Sequence, residues 1–305
     1  MNKPAIRLSR DHHIFSFDAN HEPVLTVDPG TIIEIETWDC YTGQVTSEND
    51  THDSIDNALI NPATGPIAIK GAEPGESISV TLLDIRPNEQ GAAMCQPEWW
   101  QLGHLVKPAT RIFNVKNGVI TMNDRVSFPA NPMFGVIGVS PESGVIPTLD
   151  AGRHGGNMDN NNHGIGATVH LPVFQTGGQL SIGDMHASMG DGEISGTGVE
   201  IGGIGIIKVD LIKGKHGTWP VTETADSVIT HGTAAGDINE AMQLACEEAY
   251  RILVNEWSFT PEDAFIYLSV AGDLGIAQYC HPCPGTVIAK MRIPKISAIP
   301  RAFNV

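Results

Sequence analysis

The chain has 305 residues, of which 18 are basic and 35 acidic, giving a formal net charge of −17. That acidic surplus argues against a nucleic-acid partner and predicts good solubility. With 17% charged residues beside 33 glycines and 20 prolines, the composition favours a turn-dense, strand-rich globule over a helical one.

The opening MNKPAIRLSRDHHIFSF lacks the apolar core of a secretory signal. Residues 31–38 (TIIEIETW) then set Ile33 and Ile35 against Glu34 and Glu36, the alternation of a half-buried strand. SISVTLL at 77–83 does the same with Ile78, Val80 and Leu82, and IIKVDLI at 206–212 with Ile207, Val209 and Leu211. Turn signals separate these runs: DPG at 28–30, EPGE at 73–76, KNG at 116–118 and DG at 191–192. Beyond residue 225 the period lengthens. Ile238, Ala241, Met242, Ala245, Cys246, Ala249, Ile252 and Leu253 form a 3.6-residue stripe, and Asp237 is placed to cap it, which predicts a helix over about 237–254. Thr260-Pro261-Glu262 predicts a second helix start, and TVIAKMRIPK a closing strand. The expectation is therefore mainly β, with a body over 1–225 carrying the site and a smaller α/β portion over 226–305. No stretch approaches the roughly 18 apolar residues of a membrane span. The five cysteines (40, 95, 246, 280 and 283) are odd in number and scattered, which reads as a reduced, cytoplasmic protein.

The chemistry concentrates in two loops. GDMHASMGDGE at 183–193 holds three acids (Asp184, Asp191, Glu193), one histidine and no cation. If LSIGDMHA is a strand, Asp184 and His186 share a face, and the DG turn would swing Glu193 back beside them. An Asp, a His and a Glu converging in this way resemble the mixed oxygen and nitrogen ligands of zinc or a similar divalent ion, with manganese, iron or calcium tolerated. The plain alternative is a surface hairpin with solvated acids. AGRHGGNMDNNNHG at 151–164 offers His154, Asn157, Asp159 and His163 beside Gly155 and Gly156, whose amides could face an oxyanion. The alternative there is an Asn/Gly loop without a task. Asp39, at the end of TIIEIETWDC, is a further ligand candidate, whereas Cys40 reads as a small buried hydrophobe. His52 is either a site residue or a plain loop residue. Trp99-Trp100 reads as packing, and CHPC at 280–283 has CxxC spacing but no second pair and no thioredoxin-like context.

NPATGPIAIKGAEPGE at 61–76, FGVIGVSP at 134–141, HGGNMD at 154–159 and LPVFQTGGQLSIGDMHASMGDGEISGTGVE at 171–200 together resemble the acetamidase/formamidase family. LSVAGDLGIAQ and MRIPK also fit, whereas YCHPCPG departs from the family's run. The resemblance implies hydrolysis of formamide or acetamide, and a cytoplasmic homo-oligomer with a β-sandwich and barrel body plus a small α/β portion. Joined to the residue reading, it gives a working assignment: Asp39, Asp159, Asp184 and His186 as metal ligands, and Glu193 as general base and then acid. Gly155, Gly156 and Asn157 hold the oxyanion, and His154 is a second proton-transfer group. Rival readings are a nitrilase-type Cys-Glu-Lys site drawn from Cys40, Cys95, Glu73 and Lys70, a calcium-stabilised binding module, and hydrolysis of another small C–N bond. A glycine- and serine-rich segment of the Ser-Ser-Lys amidases is missing.

Overall fold

A computed structural model describes residues 6–97, 99, 101–214, 217–279 and 286–303. Trp100 and the CHPC run at 280–283 lie outside the described residues. The alternating runs become strands as expected. Ile32–Thr37, Ser77–Pro87 and Gly203–Ile212 stand side by side in a nine-stranded sheet, with Ile33, Ile35, Ile78, Val80, Leu82, Ile207 and Val209 fully buried. Leu211, read as inward-facing, is only partly buried.

A seven-stranded sheet runs in the order Ala151–Gly152, Gly155–Asn157, Met133–Gly138, Leu180–His186, Ala63–Ile69 and His13–Ile14, with Leu25–Val27 also pairing Ala63–Ile69. Its Ile67, Ile69, Phe134, Ile137, Leu180 and Ile182 join the inward residues of the nine-stranded sheet in one hydrophobic core. A four-stranded sheet of Gln90–Cys95, Ala109–Lys116, Val119–Asn123 and Val126–Pro129 flanks them. KNG makes a tight turn there: Asn117 (φ 53°) and Gly118 (φ 74°) take the two left-handed positions of a two-residue hairpin loop.

The C-terminal portion carries two helices, α1 (Ile238–Asn255) and α2 (Pro261–Ala271). Asp237 caps α1 by accepting from the amides of Asn239 and Glu240, and the Thr260 hydroxyl accepts from the Asp263 amide at the start of α2. The side of α1 that packs down is lined by Ala241, Ala245 and Ala249, then Ile252 and Leu253, all fully buried. Small residues let the helix press close onto the strand Ser227–Ala235. A Cβ on Gly232 would stand 2.1 Å from the Ala241 carbonyl oxygen, so that glycine is required by the contact.

The expected closing strand, Thr286–Pro294, is interior to the nine-stranded sheet; Asp273–Gln278 forms the edge beyond it. That sheet runs unbroken through both portions of the chain, because Val221–Glu223 pairs with Thr168–Pro172 on one side and Ser227–Ala235 on the other. Gln278, at the end of the edge strand, is thereby delivered to the body: Gly192 pairs with it through an isolated parallel bridge.

Candidate active site

The strand Leu180–His186 is buried along its whole length. Apolar packing alone would not explain Asp184 and His186 there, 4% and 0% exposed. His186 Nε2 lies 2.9 Å from Glu200 Oε1 and 3.4 Å from Glu193 Oε1, and its Nδ1 lies 3.2 Å from Met133 Sδ. Glu200 is drawn in by bridges to both His186 and Ala92, and the Gly198 amide donates to its Oε1 at 3.0 Å. Gln278 Nε2 donates to Glu193 Oε2 at 3.1 Å and also to Asp159 Oδ2. Two groups of ligand atoms result. Asp159, His186 and Glu193 offer one atom each within 4.8 Å of one another, and so do Cys40, Asp184 and Glu200. The two groups meet at Gly135, where an added Cβ would stand 2.2 Å from Asp159 Oδ1 and 2.5 Å from Asp184 Oδ2.

Three of these acids occupy the left-handed backbone region, Asp159 at φ 37°, Asp184 at 51° and Glu193 at 47°. Each such residue costs roughly 1–2 kcal/mol relative to a relaxed backbone, so the surrounding sheets impose the arrangement. The electrostatics also resist it. Burial, then the charge of Glu200, pushes the Asp184 carboxyl well above the usual carboxylate range, with His186 opposing. For His186, burial favours the neutral ring, but the charges of Glu200 and Asp184 and the hydrogen bonds to Glu193 and Glu200 prevail and hold its pKa well above the usual value. Among the described residues no lysine or arginine pairs with Asp184, Glu193 or Glu200. Asp191 differs: Lys290 Nζ sits 2.6 Å from its Oδ1 at the surface.

The sequence assignment is gathered in part. Asp159, Asp184, His186 and Glu193 come together, although Glu193 arrives by pairing of Gly192 with Gln278 rather than by a hairpin turning back on its own strand. Asp39 does not join them. Its carboxylate accepts from the amides of Tyr41 (2.8 Å) and Gly43 (3.1 Å), closing the turn after Ile32–Thr37. The neighbouring Cys40, expected as a plain hydrophobe, is the one beside Asp184 and Glu200.

Gly155 and Gly156 are held in a ladder between Met133–Gly138 and Ala151–Gly152. Added Cβ atoms would stand 2.3 Å from the Ile137 and Asp150 carbonyl oxygens respectively, so strand packing accounts for both glycines. Asn157 keeps a buried Oδ1 without a hydrogen-bond partner. His154 packs its ring edge-on to Phe17 (5.0 Å between centroids), and burial lowers its pKa to about 4. His163 bonds Thr222 (2.9 Å), and His52 packs edge-on against Trp99, which is buried over Gly196. Glu200 and Gln278 were missed. Glu200 had a signal, an acid closing the same motif as Glu193; Gln278 had none short of the fold.

The sequence pattern of the Acetamidase/Formamidase family matches residues 9–151 and 142–295. The acetamidase of Mycolicibacterium smegmatis is 27% identical over 335 residues, covering 81% of this chain and 82% of that protein. The formamidase of Methylophilus methylotrophus is 28% identical over 300 residues, with 75% and 74% covered. The crystal structure of an acetamidase from Bacillus halodurans superposes with a TM-score of 0.91 at 34% identity, covering 95% of this chain and 97% of that one.

Proposed function

This chain belongs to the acetamidase/formamidase family, and from that membership we propose that it hydrolyses a short aliphatic amide, formamide or acetamide, to the carboxylate and ammonia. The observation that carries the reading is the buried cluster of Asp159, Asp184, Glu193 and Glu200 around His186. It is close-packed, which suits a substrate of a few atoms.

Amide resonance makes the carbonyl a poor electrophile and the amine a poor leaving group. A catalyst must therefore activate water, stabilise an oxyanion and protonate nitrogen. Asp159, Asp184 and His186 would hold a divalent ion. The donor set fits: Asp184 Oδ1 is buried without a hydrogen-bond partner, and carboxylates with an imidazole suit zinc best, with calcium or manganese tolerated. Such an ion supplies Lewis acidity and lowers the pKa of bound water toward about 7.

Glu193 is the general base and then the acid. It lies off the strand in its own turn, is the most exposed of the four carboxylates at 7%, and reaches His186 without bonding it tightly. It takes the proton of the attacking water and returns it to the departing nitrogen. Gln278 fixes its carboxylate by donating to Oε2, and Met133 beside Nδ1 orients the His186 ring so that Nε2, which faces Glu200 and Glu193, would be the nitrogen that meets the ion. The Asn157 carboxamide, two residues before Asp159, is the remaining oxyanion donor. His154 takes no part, since its ring is enclosed with Phe17.

The protein works in this reading as a cytoplasmic homo-oligomer. Phe265 and Val270, each 75% exposed on α2, are suited to a subunit contact. No described helix is long and apolar enough to cross a membrane. The test is ammonia release from formamide and acetamide by the wild type and Glu193→Gln. Turnover is expected to fall by about 100-fold or more with metal content kept; near-normal turnover would remove Glu193 from the chemistry.

A further inference from the structure

One divalent ion held by Asp159, Asp184 and His186 offsets only two of four buried carboxylate charges. No lysine or arginine among the described residues pairs with Asp184, Glu193 or Glu200 to offset the rest. Cys40 stands beside Asp184, its Sγ within 4.8 Å of ligand atoms of both Asp184 and Glu200. Both acids are at least nine-tenths buried, and each keeps one oxygen without a hydrogen-bond partner. Cys40 forms no disulfide.

We infer that Cys40, Asp184 and Glu200 form a second divalent-cation site, of zinc type, beside the first and sharing Asp184 with it. This rests on the metal reading above. The chemistry supports it on two counts. A thiolate with two carboxylates is a donor set that selects zinc over magnesium or calcium. Two closely spaced ions are also a recurrent hydrolase arrangement, clamping both the attacking and the departing atoms. On this reading Glu200, which faces His186 Nε2 in this structure, would bind the second ion.

The test uses the full chain loaded with zinc and freed of excess. Elemental analysis is expected to give two ions in the wild type and one in Cys40→Ala, with the helix and sheet signal in circular dichroism unchanged. Cobalt replacement is expected to give a thiolate-to-cobalt charge-transfer absorption in the wild type that Cys40→Ala lacks. One ion in the wild type would overturn the second site and leave the first standing, whereas none would overturn both. Two ions kept in Cys40→Ala would remove the thiolate from the site. Should Cys40→Ala fail to fold, the wild-type cobalt protein decides alone: no thiolate band, no second site.

Discussion

Gly135→Ala adds one methyl group at the point where the two groups of ligands meet. Nothing in the backbone forbids it, since Gly135 is not among the residues with positive φ. The obstacle is space. The new Cβ would stand 2.2 Å from Asp159 Oδ1, 2.5 Å from Asp184 Oδ2 and 3.0 Å from His186 Cε1, where ordinary contact begins at 3.4 Å. Both carboxylates must therefore retreat by about 1 Å, and neither has room, since both are buried between packed strands. Overfilling of this kind costs about 1–3 kcal/mol of stability. The larger effect falls on the chemistry, because a displacement of about 1 Å in a catalytic constellation costs on the order of 100-fold in rate. The assay is ammonia release at saturating acetamide, read beside the melting temperature and metal content. The expected result is a folded protein, a few degrees less stable, with turnover down by about 100-fold. An alanine variant with wild-type turnover would mean that Asp159 and Asp184 do not act together, and would refute the site as drawn.

Two further outcomes follow from other parts of the fold. His154 has a folded-state pKa of about 4, below the ordinary value of 6.5, because it is buried. As pH falls between those values the unfolded chain takes up a proton that the folded one refuses, so stability present above pH 6.5 is lost by about 3 kcal/mol toward pH 4. Urea unfolding across that range should show the loss, and His154→Leu should remove its share while that of the buried His163 and His231, shifted the same way, remains; an unchanged slope would mean that His154 titrates normally. Asp237→Ala removes the cap of α1 and should cost about 1 kcal/mol, lowering the melting temperature while leaving ammonia release intact. A loss of activity instead would show that α1 communicates with the site through Ser227–Ala235.

How much of this was legible in the sequence depends on the range of the interactions involved. The alternation at 31–38 and 77–83 and the stripe from Ile238 report which residues face a core; the first strand and α1 followed within a residue, while the second strand runs on to Pro87. Asp184 and His186 were legible for the same reason, two positions apart on one strand. Asp39 and Cys40 show where local reasoning stops. Both follow the strand Ile32–Thr37, and the acid looked like the better ligand. Yet the backbone turns at Asp39 and supplies its own donors, leaving Cys40 directed to the cluster. Gly155 and Gly156 misled because a glycine pair can serve an oxyanion or a close strand contact, and only the neighbouring strand at Ile137 decides. Gln278 comes from a strand 119 residues away from its partner Asp159 and carried no pattern of its own. The family resemblance pointed to the region; register decided which side chains meet there.

The account turns on a divalent ion among Asp159, Asp184 and His186, with Glu193 working beside it. The most direct test is ammonia release from acetamide by one preparation before chelation, after chelation, and after zinc is restored, with elemental analysis at each stage. The account predicts activity that disappears with the metal and returns with it. Full activity in protein shown to be metal-free would contradict it, and would leave His186 and the carboxylates as a metal-free acid and base pair.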